Sequence, residues 1–289
     1  MAHPRTSSRL PASKLSTAGG LFEAICAKGS YLCVGLDPDP KRIPASFGAG
    51  VEGMEAFCRA IVESTLPYAV AFKPNLAFFE QYGSAGWAAL ERVVEAIPSD
   101  VLVIADAKRG DIGNTATKYA SAMFHGLGAD AVTVAPYMGR DSVEPFTEFT
   151  DRWTVLLALT SNPGAEDFEF HGERPLFQEV LRKTQTYRNA DRLMYVVGAT
   201  RPALFQDIRA EVPHAFLLVP GVGAQGGNVA DVARFGLNDR CGLLVNSSRG
   251  ILYAAGSEAT QDQVRQASAE AAEALAVEMR STLVDRGLL

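Results

Sequence analysis

Cysteine and histidine are both scarce in this chain, with four of each among 289 residues. Cys26, Cys33, Cys58 and Cys241 never form a C-x-x-C pair, which argues against disulfides and against thiolate metal sites. Cys33 and Cys241 lie in apolar, strand-like runs and read as small core residues of a protein in a reducing cytoplasm. His3, His125, His171 and His214 form no ligand cluster, so no metal is expected. Long hydrophobic runs are absent too, none reaching the roughly 20 residues that span a membrane. Residues 1–14 lack the apolar centre of a secretory leader and read as a flexible tail. Positive charge is not in excess: the net charge is −6 and the pI is near 5.3. That argues against nucleic acid as a partner, yet leaves room for a small anion held by a few local cations. There is no linker, no shift of composition and no repeat longer than a strand–helix unit, so a single domain over 1–289 is expected.

What is present is an ordinary globular balance, 47% hydrophobic and 21% charged, arranged in a regular alternation. Short apolar runs at 31–36, 68–72, 101–105, 131–136, 154–159, 194–198, 216–219 and 242–246 read as buried parallel strands. Helical periodicity fills 15–28, 53–66, 82–97, 112–127, 142–149, 201–211, 229–235 and 258–285, with a further helix between a polar loop ending at 174 and residue 188. Eight strands alternating with helices over this length argue for an α/β fold, the (β/α)₈ barrel. A doubly wound open sheet is the alternative, but no glycine-rich dinucleotide turn follows the first strand.

One stretch carries the strongest chemical signal: Asp106-Ala-Lys-Arg-Gly-Asp-Ile-Gly-Asn-Thr115, directly after the third apolar run. Strand alternation puts Leu102, Ile104, Asp106 and Lys108 on one side if the extended form persists. Gly110 is then expected to turn the chain, and Asp111 to open a helix with Thr115 four residues on over the same face. A lone Asp-x-Lys at a strand end could be a solvated ion pair worth almost nothing. The longer D-x-K-x-x-D pattern, at the carboxyl end of a strand, favours a site.

Other polar residues fall at or just past strand ends: Asp37, Lys73, Asn75, Ser161, Gln225 and Arg249. Each has a plain reading as a turn former or cap. In a barrel these ends form one rim, the rim that carries active sites, and their coincidence there weighs against separate plain readings. Gly221, Gly223, Gly226 and Gly227 can present backbone N–H groups to an anion, with Arg249 adding a two-pronged contact. The loops after strands seven and eight therefore read as a phosphate site.

Taken together, Gly35-Leu-Asp37, Phe72-Lys-Pro-Asn75, Asp106-Ala-Lys-Arg-Gly-Asp-Ile-Gly113, Pro220-Gly-Val-Gly-Ala-Gln-Gly-Gly227 and Asn246-Ser-Ser-Arg249 resemble orotidine 5′-phosphate decarboxylase. The resemblance runs from about residue 15 to the last helix and is strongest to the longer bacterial branch, whose third-strand motif reads D-A-K-R-G-D-I. It implies cofactor-free conversion of orotidine 5′-phosphate to UMP in a cytoplasmic homodimer with shared sites. It implies an alternating charged array of Lys73, Asp106, Lys108 and Asp111, with Lys108 as proton donor and Asp111 supplied by the other subunit. It implies ribose contacts from Asp37 and Thr115, the latter across the interface, and pyrimidine reading by Ser161. It implies phosphate contacts from Gln225 and Arg249, with Asn75, Pro220 and Gly226 also among the substrate-binding positions.

Two other readings share part of this pattern. A sugar-phosphate decarboxylase or aldolase of related fold has D-x-K-x-x-D but holds Mg²⁺ with carboxylates, and here Lys73 stands where such a site would want an acid. A non-catalytic nucleotide-binding barrel would be marked by loss of Lys108 or Asp106, and both are present.

Overall fold

The computed structural model describes residues 13–222 and 227–289. Eight parallel strands close into a barrel in sequence order. They are β1 (Leu32–Leu36), β2 (Ala69–Pro74), β3 (Leu102–Arg109), β4 (Ala131–Val134), β5 (Trp153–Leu159), β6 (Leu193–Val197), β7 (Leu217–Pro220) and β8 (Leu243–Ser247). β8 pairs back onto β1 through Leu32 with Val245 and Cys33 with Asn246, so no strand edge is left open. Strands facing the barrel interior on one side and helices on the other are buried on both faces, hence their near-continuous apolar character.

α1 (Ala18–Lys28) precedes β1, and α2 (Gly50–Thr65) follows it. α3 (Ala77–Glu80) and α4 (Gly83–Glu95) follow β2; α5 (Gly113–Ser121) follows β3 and continues as a π turn, Ala122–Gly126. α6 (Arg140–Thr147), α7 (Leu176–Thr184), α8 (Leu204–Glu211) and α9 (Val229–Gly236) each follow one strand, and α10 (Arg249–Leu252) and α11 (Gln261–Asp285) follow β8. The short α3 and α10 were not foreseen, because four residues give no helical period to detect. Both sit at the carboxyl end of the barrel, immediately after polar residues of interest.

Local chemistry sets the helix ends. Thr17 caps α1 by accepting from the Gly20 amide at 3.1 Å, and Gly29, at φ +60°, ends it in the left-handed form. Thr260 and Gln263 cap each other's amides at the start of α11, the longest helix, which packs on α2 and α9. Of the expected tail, residues 1–12 lie outside the described residues; Ser13–Ser16 form a 3₁₀ turn whose Leu15 carbonyl accepts from the Trp153 indole at 2.8 Å. All four cysteines are free, and Cys33, Cys58 and Cys241 are buried. Among the described residues no helix is long and apolar enough to cross a membrane.

Arg209 ties the barrel's lower end together. Its guanidinium donates to the carbonyls of Gly236 at 2.6 Å, Ala215 at 2.7 Å, Gly242 at 2.7 Å and Val212 at 3.3 Å. Arg209→Met leaves several of these carbonyls unpaired and is expected to cost about 2–3 kcal/mol. Arg209→Lys, with a point charge in place of a planar fork, should recover only part of that loss in thermal unfolding. Equal melting temperatures for wild type and Arg209→Met would show the bonds to be dispensable.

Candidate active site

The strand ends converge on a buried carboxylate. Lys73 on β2 and Asp106 on β3 are only 5% and 8% exposed. The Lys73 ammonium donates to Oδ2 of Asp106 at 2.7 Å, and the Lys108 ammonium donates to Oδ1 at 2.5 Å. The Thr133 hydroxyl, from β4, donates to the same Oδ1 at 3.1 Å. Lys73 also lies 4.0 Å from Oδ1 of Asp37, an oxygen that is buried without a hydrogen-bond partner. Burial disfavours the Asp106 charge, but the ammoniums of Lys73 and then Lys108 outweigh it and hold the carboxyl down to about 2. Burial likewise disfavours the Lys73 ammonium, but Asp106 and then Asp37 keep its pKa above the ordinary lysine value.

A cavity of about 160 Å³ opens above these groups, lined by Asp37, Lys73, Asn75, Asp106, Pro220, Gly221, Val222, Asn246, Ser248 and Arg249. A larger cleft, about 510 Å³, lies beside Lys14, Glu23, Lys28 and Asp100 at the opposite end of the barrel, away from this chemistry. Size therefore does not mark the site; convergent charge does.

The chain leaves β3 in a way the sequence did not suggest. Lys108 itself adopts φ +46°, whereas Gly110 keeps out of the left-handed region. The extended form is thus interrupted at Lys108, one residue before β3 ends at Arg109, and the turn belongs to a lysine. Asp111 precedes the helix instead of opening it, with its Oδ1 accepting from the Ile112 amide at 2.8 Å, and α5 starts at Gly113. Thr115 is exposed on that helix. Asp111 forms no ion pair with Lys73 or Lys108 of its own chain.

Ser161 follows β5 on a turn anchored by Glu169, whose carboxylate accepts from the Thr160 amide at 2.7 Å. The backbone of Gly198 passes so close that a Cβ there would lie 2.9 Å from the Ser161 Cβ. After β7, Gly221 takes φ +100°, and Val222 bridges Gly227 to close the neck of the loop. Gly223, Gln225 and Gly226 lie outside the described residues. Arg249 opens α10 and, with Pro220, lines the cavity.

Comparison with known proteins shows the family and the fold. The profile of the "Orotidine 5'-phosphate decarboxylase / HUMPS family" matches residues 30–264. A protein of Parabacteroides distasonis named orotidine 5'-phosphate decarboxylase is 51% identical over 276 residues, 93% of this chain and 97% of its own length. The chain belongs to the orotidine 5′-phosphate decarboxylase / HUMPS family. Among solved structures, the Leishmania donovani OMP decarboxylase superposes with a TM-score of 0.79 at 36% identity, covering 92% of this chain and 98% of that one. The Leishmania donovani UMP synthase gives 0.81 at 38%, with this chain spanning 56% of that longer one. The barrel expected from the strand–helix alternation is thus the fold of the family.

In this family member the structure gives a part at the rim to three residues that have no assigned role in the sequence. Thr133 is a polar residue inside an apolar strand, which was the available signal. Asn246, buried at the end of β8, lines the cavity and was legible only as part of a motif. Tyr253 carried no signal: its hydroxyl donates to the Asp37 carbonyl at 2.8 Å and accepts from the Asp39 amide at 2.7 Å, fixing the loop that carries Asp37.

The charged array has a definite pH signature. The Asp106 carboxyl, held near 2 against an ordinary 3.8, contributes stability that is present above the ordinary value and lost as pH falls toward 2. Lys73→Met removes one ammonium and leaves the burial. The variant is expected to lose about 3 kcal/mol at neutral pH, and its acid unfolding should begin at higher pH than in wild type. Circular dichroism during acid titration reads both effects. An unchanged acid midpoint would mean that Lys73 does not hold Asp106 ionised.

Proposed function

We infer that the chain catalyses decarboxylation of orotidine 5′-phosphate to UMP and CO₂ without a cofactor, in pyrimidine nucleotide synthesis. The observation that carries this is Asp106 held between two ammoniums at the barrel rim. Relatives named for the reaction support it. On this reading the bond from C6 of the pyrimidine to its carboxylate breaks, CO₂ leaves neutral, and the electron pair stays on C6 in the ring plane. The Lys108 ammonium faces that pair, stabilises it and then gives it a proton, regaining one from solvent. Asp106 lies near the departing carboxylate, where its repulsion falls as CO₂ becomes neutral. Lys73 keeps Asp106 ionised. The unpartnered Oδ1 of Asp37 suits a ribose hydroxyl, Ser161 reads the pyrimidine edge, and Arg249 with the Pro220–Gly227 loop holds the phosphate. Binding energy from that distant phosphate is then available at the ring.

The single barrel carries the activity and works as a cytoplasmic homodimer in this proposal; the free cysteines fit a reducing compartment. Exposed Ile112, Tyr119, Tyr137 and Met138 surround the segment that bears Asp111 and Thr115, an apolar surface that a second copy would cover. Asp111 and Thr115 then act in the neighbouring site.

Two measurements test the reading. Ultraviolet assay of orotidine 5′-phosphate turnover should show activity that survives EDTA and dialysis. Loss restored only by Mg²⁺ would move the chain to the sugar-phosphate class. Lys108→Ala and Asp111→Ala, each inactive alone, are expected to regain about a quarter of wild-type activity when dissociated and reassociated in equal amounts. Half the dimers are then mixed, and each mixed dimer holds one intact site. No recovery in mixed dimers verified by mass would mean that Asp111 serves its own subunit.

A further inference from the structure

β3 and β4 do not run in step where the charged array begins. Ala105 pairs with Val132 and Arg109 with Val134, so four steps along β3 oppose two along β4. Two surplus residues must therefore bulge, and Lys108 is one of the residues between those pairs. A bulge removes amide groups from the ladder and leaves them needing acceptors. The acceptor present is a side chain: Thr133, between Val132 and Val134, receives the Ala107 amide at 2.9 Å and the Lys108 amide at 2.8 Å on one hydroxyl oxygen. The same hydroxyl donates to Oδ1 of Asp106 at 3.1 Å. A hydroxyl has two acceptor positions and one proton, and all three are used. Thr133 is fully buried, so water does not reach it to offer a substitute.

We propose that Thr133 is a positioning residue for the decarboxylation. It fixes the left-handed turn at Lys108 and aims Oδ1 of Asp106 at the Lys108 ammonium. It touches no substrate in this assignment; it acts through the two residues that do. Lys108 at φ +46° is a conformation that side-chain-bearing residues rarely adopt. It persists where surrounding bonds over-determine it, and the paired amides on Thr133 supply that restraint. The oxygen that accepts from the Lys108 ammonium also accepts from Thr133, so one hydroxyl sets both ends of the Lys108–Asp106 contact.

The proposal rests on the decarboxylase reading, and its test separates the two. Thr133→Val removes the hydroxyl and keeps the branched shape; Thr133→Ser keeps the hydroxyl and drops the methyl. The expected result for Val is a fall in kcat of about 100-fold, the effect of misplacing a reacting group by about 1 Å, with the Kd for UMP within about threefold of wild type. Ser is expected to retain kcat within about threefold. Crystal structures of both variants supply a readout independent of turnover. Val should lose the left-handed turn or the Lys108–Asp106 contact, and Ser should keep both. A wild-type enzyme that turns over orotidine 5′-phosphate and a Val variant of near-normal kcat would overturn the assignment. So would a Val variant that loses UMP binding as steeply as turnover while Ser fails to rescue it, since that pattern belongs to a general packing defect. If wild type does not turn over orotidine 5′-phosphate, the decarboxylase reading fails, and an unmoved Lys108 in the Val crystal structure would still overturn the positioning role.

Discussion

A carboxylate with an ammonium on each oxygen is the constraint on which the rest of the rim depends. Asp106 is almost entirely out of water, and an isolated charge there would neutralise instead of ionising. Lys73 and Lys108 reverse that outcome, and the buried Lys73 needs Asp106 in turn. Such an arrangement is poor as a stabilising device, because apolar residues of the same volume often serve a fold as well or better. Its value lies in the field it sets up in advance. On the proposed mechanism, a reaction that leaves an electron pair on carbon needs an ammonium already in place, and this array would hold one there at a cost in folding free energy.

The barrel supplies the location and β3 supplies the departure from regularity. Parallel closure brings eight strand ends to one rim without further instruction, and short helices α3 and α10 sit on that same rim. Regular pairing alone would carry Lys108 along the strand. The mismatch between β3 and β4 instead turns it back toward Asp106. The site is thus a local breach of strand geometry within an otherwise regular sheet, which is where functional strain tends to collect. Asp37 is secured differently, through the Tyr253 hydroxyl reaching across from the segment after β8.

Much of this was legible beforehand. Seven of the eight strands fall within two residues of their apolar runs, because a parallel barrel strand is buried on both faces and shows it as unbroken hydrophobicity; β3 instead runs four residues past its apolar run, through Asp106 to Arg109. Lys73, Asp106 and Lys108 were found because charge at the end of such a run is conspicuous. Glycine is the usual signal for positive φ and points to Gly110, but the turn belongs to Lys108, a restrained lysine that gives no such signal. Thr133 and Tyr253 act through distant hydrogen bonds, at separations of 25 and 216 residues from Lys108 and Asp37, and no local pattern encodes such pairs. Gln225 and Gly226 fall outside the described residues, so the phosphate loop is represented by its neck, Gly221, Val222 and Gly227.

The two lysines of the array differ in one respect that bears on the proposed dimer. The Lys73 side chain is 7% exposed, whereas that of Lys108 is 52% exposed in the single chain. A charge half in water is screened by a high dielectric and does little work on a neighbouring ring; the same charge under a dry cover acts several times more strongly. In the proposed dimer the cover would be the exposed apolar surface around Ile112, Tyr137 and Met138, set against its own copy. Met138 lies against Gly110, two residues from Lys108, so burying that surface also dries the approach to the ammonium. Bringing Asp111 of the second subunit beside it would then offset the cost of burying the lysine while keeping it charged. On this argument association does more than complete a list of residues. In the proposed dimer it would change the medium in which Lys108 acts, and a monomer holding every one of its own groups in place would then be a weak catalyst.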